Sequence, residues 1–350
     1  MPRPHAAALI EDAWNSRMNR VLVSQGWTPR AVGLTGYGSA DFVRVLGRVL
    51  LSRHPEAVTV DPEPGPDAPL EPEARVRGWR SFATAQQMDA PVTIDVGGRQ
   101  HEARTDRSGY IDITIEGHDL EPGWHEVTIT PHGGRADTAP VMIVDPAVRF
   151  GLVSDIDDTI ITTSLPRPLI AAYNTFVLHE QARHIVPGMA PMYRELLSMH
   201  PGAPIFYLST GAWNTSDNLN RFIRRHGYPA GPLLLTDWGP TNTGWFRSGQ
   251  QHKRANLHRL AREFPQITWV LIGDDGQHDP KIYGDFARDR PDVVRAIGIR
   301  ELTTTEQVLS HGLPVSIEGF GPRVRRPVPV LRAPDGYGLL RQMRALLEQG

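Results

Sequence analysis

Side chains that can do chemistry follow three short apolar runs of the sequence. The runs cover residues 148–153, 205–208 and 267–272. The polar residues that follow them, together with one lysine between the second and third runs, are Asp155, Asp157, Ser209, Lys253, Asp274 and Asp279. Asp155 and Asp157 belong to a D-x-D-x-T pattern. Such a short pattern is weak evidence alone, and its place at the end of an apolar run makes it informative.

The chemistry that needs this set is phosphoryl transfer through a carboxylate. Asp155 can attack phosphorus and divide one difficult displacement into two in-line steps. Asp157 can protonate the leaving oxygen as a general acid and then activate water as a base. Ser209 can donate a hydrogen bond to a phosphoryl oxygen, and Lys253 can neutralise the nucleophile and the transferred group. We therefore predict that Asp155, Asp157, Ser209 and Lys253 are the catalytic residues.

A metal ion is also expected, because the charge of Asp155 opposes the approach of a phosphate. Mg²⁺ removes this repulsion and prefers hard oxygen ligands. The candidate ligands are the carboxylates of Asp155, Asp274 and Asp279, beside the backbone carbonyl of Asp157. The predicted cofactor is thus Mg²⁺, held by Asp155, Asp157, Asp274 and Asp279.

Lysine is rare in this chain. Of the 37 Lys and Arg residues, the lysines are Lys253 and Lys281 alone. A compact ammonium fits where a forked guanidinium does not. This favours a functional role for Lys253, which opens a helical pattern, whereas Lys281 is interpreted as an ordinary surface residue.

Strand and helix patterns alternate from residue 148 onward. A fourth apolar run covers 294–299, and helical spacing of apolar residues lies between the runs, as in Leu219, Phe222 and Ile223. This alternation predicts an α/β fold with a doubly wound parallel sheet, covered by helices on both faces. Ligands bind beyond the carboxyl ends of the strands in such sheets, so the candidate residues are expected to meet there.

The first part of the chain has a different pattern. Residues 5–24 predict an amphipathic helix, 56–73 an exposed acidic loop and 74–88 a short helix. Strands are predicted over 41–52 and around three alternating segments, which are Val92–Val96, Ile111–Ile115 and Val127–Ile129. We expect a β-sandwich-like domain with an N-terminal helix over residues 1–147, followed by a catalytic domain over 148–350.

Composition excludes several classes of protein. A formal net charge of −2 gives no electrostatic footprint for nucleic acid, so no nucleic-acid partner is expected. The absence of cysteine excludes disulfides, thiolate zinc sites and a cysteine nucleophile. No run of eighteen apolar residues occurs, and the first apolar run is too short for a signal peptide. These observations favour a cytoplasmic location.

The ordered set of polar residues resembles the haloacid dehalogenase superfamily of phosphotransferases. In that resemblance Asp155 and Asp157 match the nucleophile and the acid/base, Ser209 the second motif and Lys253 the third. Gly273-Asp274, with Asp279, matches the metal-binding fourth motif. The resemblance implies a haloacid dehalogenase-like sheet and an aspartyl-phosphate intermediate.

A narrower resemblance covers nearly the whole chain. The segments that carry it are 154–160 (SDIDDTI), 186–189 (VPGM), 206–209 (FYLS), Trp213, 231–235 (GPLLL), 252–253 (HK), 271–274 (LIGD) and 276–280 (GQHDP). They resemble the actin-patch-associated phosphatidate phosphatase family and its bacterial relatives. That resemblance implies Mg²⁺-dependent removal of phosphate from phosphatidate, leaving diacylglycerol, by a catalytic domain that follows a β-rich domain. Two departures are Gly211-Ala212 in place of Ser-Pro and Asp275 in place of serine.

A phospholipid substrate, taken from a membrane surface, is the expected partner. The short gaps between the motifs leave little chain for a lid domain, and an open site admits a bulky substrate. Apolar and basic candidates for a membrane contact are Leu165–Ile170 with Arg167, Tyr173, Phe176, Trp213, Trp238, Trp245, Phe246 and Arg247. A cytoplasmic protein that binds the membrane peripherally would fit. No protein partner is indicated.

Two other functions remain open. An open site would also serve a phosphatase for phosphoproteins or soluble phosphate esters. Alternatively, the β-rich domain is a lipid or partner adaptor and the catalytic domain is vestigial. His179, Glu180 and His184 depart from the H-E-x-x-H zinc motif by one residue, which argues against a zinc protease.

Overall fold

The computed structural model describes residues 17–53, 85–163, 183–236, 249–276, 278–303 and 328–347. These residues form two compact units. One comprises the described residues up to Ile143, and the other comprises those from Val144 onward. The boundary predicted between residues 147 and 148 lies close to this division.

The first unit contains eight described strands joined in one hydrogen-bonded sheet. They are β1 (Thr28–Gly38), β2 (Phe42–Ser52), β3 (Ala85–Gln86), β4 (Pro91–Val96), β5 (Arg99–Arg104), β6 (Tyr110–Glu116), β7 (Gly123–Pro131) and β8 (Asp137–Ile143). Their order is β3-β2-β1-β8-β7-β4-β5, with β6 paired to β2. The pairs are antiparallel except for β1 and β8.

Alternation of side chains explains this sheet. Val92, Ile94 and Val96 of β4 are buried, and the residues between them are half-buried, as the sequence predicted. Gly97 and Gly98 form the turn to β5 with φ of 59° and 84°, a conformation that glycine adopts without strain. The predicted strands around residues 41–52, 111–115 and 127–129 are confirmed as β2, β6 and β7.

Two predicted helices of the first unit differ from the structure. The helix predicted over 74–88 is wrong at its end, because Ala85 and Gln86 pair with Leu51 and Leu50 of β2 as a strand. Of the helix predicted over 5–24, residues 17–24 are helical, and Met18 and Val21 of its apolar face are exposed. The rest of both helices and the acidic loop 56–73 lie outside the described residues.

The second unit is built on a six-stranded sheet whose described pairs are all parallel. Its strands are β9 (Phe150–Ser154), β12 (Ile205–Ala212), β13 (Leu233–Thr236), β14 (Thr268–Asp274), β15 (Val294–Arg300) and β16 (Val330–Ala333). Their order is β13-β12-β9-β14-β15-β16. The mixed α/β class with a parallel sheet is therefore confirmed.

Five helices and a short ribbon complete the described part of the second unit. The helices are α1 (Met189–Ser198), α2 (Ser216–Arg225), α3 (Gly249–Glu263), α4 (Asp279–Asp289) and α5 (Gly336–Leu347). The ribbon consists of β10 (Ile161–Thr163) and β11 (Arg183–Ile185), which pair antiparallel. A 3₁₀ turn over Trp213–Thr215 links β12 to α2.

Strand register decides which side chains meet. Ser154, the last residue of β9, is paired with Tyr207 of β12 and with Ile272 of β14. Asp155 therefore emerges from the central strand between its two neighbours. Ser209 and Asp274 each lie two residues beyond the paired positions. Parallel strands thus deliver these polar residues to one edge, as the sequence predicted.

Candidate active site

The buried face of α3 carries Lys253 into the site. The buried positions of this helix follow helical spacing and are Lys253, Asn256, Leu257, Leu260 and Ala261. Lys253 is the first of them, so its side chain continues the apolar stripe as far as the strand ends. Only 3% of it is exposed.

Lys253 bridges two carboxylates. Its Nζ donates to Asp155 Oδ1 at 2.6 Å and to Asp279 Oδ1 at 2.6 Å. Asp155 is 1% exposed and Asp279 is fully buried. Asp279 begins α4, where the positive end of the helix dipole stabilises a carboxylate. The predicted nucleophile, lysine and fourth-motif acid are therefore in direct contact.

Asp274 lies in the same cluster. Its Oδ1 accepts a hydrogen bond from the Gly276 backbone N–H at 2.7 Å. The Thr159 hydroxyl lies 3.3 Å from Asp155 Oδ2 and 3.5 Å from Asp274 Oδ2, and it can donate to either oxygen. Thr159 is fully buried, so it connects Asp155 to Asp274 at the end of β14.

Gly273 lets Asp279 approach the strand end. A Cβ at this position would lie 2.4 Å from Asp279 Oδ2 and 2.7 Å from the Tyr283 ring. Both distances are too short for real contacts, so a larger residue would displace the carboxylate. The glycine before Asp274 is therefore required by the close packing of α4 on β14.

Burial and mutual repulsion shift the ionisation of this cluster. Burial raises the pKa of Asp155 to about 8, with Lys253 opposing the shift and Asp279 and Asp157 adding to it. Burial, followed by repulsion from Asp279 and Asp155, raises the pKa of Asp274 well above its usual value. Burial alone would lower the pKa of Lys253, but Asp155 and Asp279 outweigh it and raise that pKa. Lys253 therefore remains protonated.

The carboxylates fit a divalent cation. Asp155, Asp274 and Asp279 each offer an oxygen, and these oxygens lie within 4.8 Å of one another. Asp279 Oδ2 is buried and has no hydrogen-bond partner among the described residues. One lysine faces three buried acidic side chains, and carboxylate oxygens are the ligands that Mg²⁺ prefers. The Asp157 side chain is not part of this group.

Asp157 faces Ser209 instead. Ser209 Oγ donates to Asp157 Oδ2 at 2.9 Å and accepts a hydrogen bond from the Gly211 backbone N–H at 2.9 Å. Asp157 is half-buried, whereas Ser209 is 1% exposed. A carboxylate held at the edge of the cluster by one hydroxyl has the placement that a proton-transfer group needs.

No sequence pattern indicated a role for three further residues at the site, which are Thr159, Ser154 and Tyr193. Thr159 was visible only as the last position of the D-x-D-x-T pattern. Next to Asp155 in the chain, Ser154 Oγ donates to the Asp155 carbonyl at 2.7 Å and lies 2.6 Å from the Tyr193 hydroxyl. A buried tyrosine in helix α1 carries no sequence signal for such a contact.

The departures from the family pattern have local explanations. Asp275 Oδ1 accepts a hydrogen bond from the Leu302 backbone N–H at 2.8 Å, so this carboxylate caps the end of β15. At Gly211, a Cβ would lie 3.2 Å from Ser209 Oγ, which accepts the Gly211 N–H. Neither residue adds a charge to the group of three carboxylates.

The remaining candidates do not join the site in the described structure. Trp213 is half-buried and packs against the apolar core of the second unit. Lys281 is exposed and pairs with Asp285, as expected of a surface residue. His184 is exposed in β11. The other proposed membrane contacts, together with His179 and Glu180, lie outside the described residues. They are 165–170, Tyr173, Phe176, Trp238, Trp245, Phe246 and Arg247.

Comparison with known proteins shows similarity to one family. The family model "Phosphatidate phosphatase APP1, catalytic domain" matches residues 150–301. Phosphatidate phosphatase APP1 of Saccharomyces cerevisiae is 29% identical over 202 residues, covering 56% of this chain and 34% of the yeast protein. An uncharacterized protein of Schizosaccharomyces pombe is 24% identical over 154 residues, covering 44% of this chain and 25% of that protein. The chain thus spans about a third or less of the length of these relatives.

The resemblance predicted from the sequence is confirmed by these matches. They also support the predicted enzyme class, phosphoric monoester hydrolase. Among solved structures, the HAD domain of effector protein Lem4 from Legionella pneumophila has 13% identity and a TM-score of 0.30, covering 45% of this chain and 87% of that chain. In the described part of the chain, no helix is long and apolar enough to cross a membrane.

Proposed function

We propose that the protein is a Mg²⁺-dependent phosphatase that works through an aspartyl phosphate on Asp155 and acts on phosphatidate. One observation carries the proposal. Lys253 bridges Asp155 and Asp279 in a buried cluster, within the residues that match the phosphatidate phosphatase catalytic domain. Burying so many charges is costly for stability, so a chemical use for them is the better explanation.

In the first step, a carboxylate oxygen of Asp155 forms a bond to phosphorus as the bond to the leaving oxygen breaks. Lys253 is protonated and balances the negative charge of both Asp155 and the transferred group. Ser209 lies on β12, next to the strand that leads to Asp155, and its hydroxyl can turn from Asp157 to donate to a phosphoryl oxygen when Asp157 carries the proton. Thr159 holds the other side of the Asp155 carboxylate.

Asp157 transfers the protons of both steps. As an acid it protonates the leaving oxygen, which departs as the hydroxyl of diacylglycerol. As a base it then takes a proton from the attacking water, and water oxygen replaces the Asp155 oxygen on phosphorus. The products are inorganic phosphate and the regenerated Asp155 carboxylate, and Asp157 returns to its starting protonation state.

The carboxylates of Asp155, Asp274 and Asp279 would hold Mg²⁺, with the backbone carbonyl of Asp157 as a further ligand. When bound, the cation supplies positive charge that offsets the repulsion between these carboxylates and a phosphate. Asp274 and Asp279 are fully buried and anchored by Gly276 and Lys253, so this chain holds the ligands in place before a cation arrives.

We also propose a domain organisation and a cellular location for the enzyme. The parallel sheet is doubly wound, with helices on both faces, and residues 148–350 form the catalytic domain. Residues 1–147 form a β-sandwich-like domain with an N-terminal helix, supported by one core that unites residues of β1, β2, β4, β6, β7 and β8. The enzyme works in the cytoplasm, bound peripherally to a membrane surface.

Phosphate release tests the proposed function. The native chain, Asp155→Asn and the matched control Asp289→Asn are given phosphatidate in mixed micelles or a water-soluble aryl phosphate, with and without Mg²⁺. Asp289 is exposed at the end of α4. We expect Mg²⁺-dependent release from phosphatidate by the native chain and the control, and none by Asp155→Asn.

Each other outcome selects a different function. Release from the aryl phosphate alone keeps the mechanism and assigns a soluble ester or phosphoprotein as the substrate. No release from either compound by folded, Mg²⁺-loaded protein contradicts the proposal and favours the lipid or partner adaptor.

A further inference from the structure

The turn that follows the nucleophile contains a strained residue. Asp158 has φ of 58°, in the left-handed region that non-glycine residues rarely adopt. Its N–H donates to the Ile161 carbonyl at 2.8 Å, which closes the turn. Such strain persists only where neighbouring groups hold the backbone in place. Asp157 precedes this residue and Thr159 follows it, so the turn sets the direction of both side chains.

Arg300 holds this turn from the end of β15. Its Nη1 donates to the Asp158 carbonyl at 2.7 Å, and its Nε donates to the Pro334 carbonyl at 3.3 Å. Only 5% of Arg300 is exposed. The planar guanidinium fixes the direction of both donors, so the Asp158 peptide is tied to the segment that follows β16.

The backbone around Arg300 is fixed as well. The Arg300 carbonyl accepts a hydrogen bond from the Asp275 N–H at 3.0 Å, and the Glu301 N–H donates to the Ala333 carbonyl at 2.9 Å. Arg300 is therefore anchored to the neighbouring strand ends before its side chain reaches the turn. An arginine anchored in this way can resist movement of the strained peptide.

We propose that Arg300 is a positioning residue for proton transfer: by fixing the Asp158 carbonyl, it holds the Asp157 carboxylate within hydrogen-bond distance of Ser209. The inference rests on the proposed phosphatase function, because it concerns the acid/base step assigned to Asp157. Arg300 reaches the turn through its hydrogen bond to the Asp158 carbonyl. Its effect therefore reaches the chemistry through the turn.

Leaving-group dependence tests this role. Arg300→Gln, Arg300→Lys and the control Arg295→Gln, on the same strand, are compared with the native chain on 4-nitrophenyl phosphate and on an alkyl phosphate. A 4-nitrophenolate departs without a proton, whereas an alkoxide needs one from the general acid. We expect Arg300→Gln to lower kcat on the alkyl phosphate about 100-fold and on the nitrophenyl ester less than tenfold, with little change in KM.

The two other variants sharpen the result. Arg300→Lys keeps a cationic donor for the Asp158 carbonyl, so we expect it to recover part of the alkyl phosphate activity. Arg295 lies near the start of β15, away from the turn, and Arg295→Gln should match the native chain. Equal losses on both esters in Arg300→Gln would contradict the positioning role. If Arg300→Gln does not fold, as judged by thermal melting, Arg300→Lys is compared on the same two esters.

Hydrogen exchange gives a readout that needs no activity. Exchange in a peptide spanning Asp155–Ile161 should rise in Arg300→Gln and remain native in Arg295→Gln. Unchanged exchange in Arg300→Gln would overturn the inference. An inactive native chain would count against the proposed function alone, because exchange would still decide whether Arg300 holds the turn.

Discussion

The two compact units of this chain bury different kinds of side chain. The core of the N-terminal unit is aliphatic, with residues such as Val45, Ile94 and Ile129 fully buried. Its buried arginine, Arg48, lies with its guanidinium 4.8 Å from the ring centroid of Tyr110. An apolar core of this kind stabilises a fold and needs no further explanation.

The second unit adds a buried charged cluster to an apolar core of its own. At the carboxyl edge of its sheet, three carboxylates and a lysine are 3% exposed or less. Charges withdrawn from water lower stability unless they are compensated, and here one ammonium faces three acids. This contrast in buried charge marks the carboxyl edge of the second sheet as the candidate active site.

Replacement of Asp155 should separate function from stability most sharply. Asp155→Asn is expected to lower phosphate release about 10⁴-fold or more, because the nucleophile is lost. Its melting temperature without Mg²⁺ should equal or exceed that of the native chain, because an acid that is costly to ionise is removed. Phosphate assays and thermal melting measure the two effects. A strongly destabilised Asp155→Asn would show that the cluster supports the fold.

The two lysines provide a matched comparison of buried and exposed charge. Lys253→Met should lower the free energy of unfolding by about 3–5 kcal/mol, because it leaves buried carboxylates unpaired. Lys281→Met removes an exposed partner of Asp285 and should cost less than about 1 kcal/mol. Denaturant unfolding at neutral pH in the presence of a chelator measures both. Equal losses of unfolding free energy in the two variants would contradict the difference expected between a buried and an exposed lysine.

The pH dependence of stability should belong to the second unit. The pKa of Asp155 is about 8 in the folded protein against an ordinary value of 3.8, so the folded state binds this proton more tightly. Without Mg²⁺, stability should therefore fall by a few kcal/mol as pH rises from about 4 to about 8. Denaturant unfolding across this range measures the slope. Asp155→Asn should reduce this dependence of stability on pH, and an unchanged dependence would contradict the raised pKa of Asp155.

The smallest effect concerns the apolar core. Ile129→Val in the N-terminal unit should cost about 1 kcal/mol, with no dependence on pH, because it removes one buried methylene group. Denaturant unfolding at two pH values checks this. A pH-dependent cost would indicate that the N-terminal core is linked to the charged cluster.

Much of the site could be predicted because polar residues follow apolar strands in chain order. That order places Asp155, Ser209 and Asp274 at one edge of the sheet once the strands are parallel.

Other features of the fold could not be predicted. Strands β13 and β16 were missed because each has only four residues, which is too short for a recognisable alternating pattern. The contact of Arg300 with a backbone carbonyl leaves no sequence pattern at all. The helix predicted through residue 88 was wrong because pairing of β3 with β2 is a long-range interaction.

The central claim is that Asp155 carries the phosphoryl group during turnover. The most direct test is to quench the Mg²⁺-loaded native chain in acid during hydrolysis of phosphatidate, reduce it with borohydride and map the peptides by mass spectrometry. An acyl phosphate on Asp155 would be converted to homoserine at that position, and we predict this conversion in the native chain and in Asp289→Asn. Turnover with an unmodified Asp155, or retained turnover in Asp155→Asn, would contradict the account.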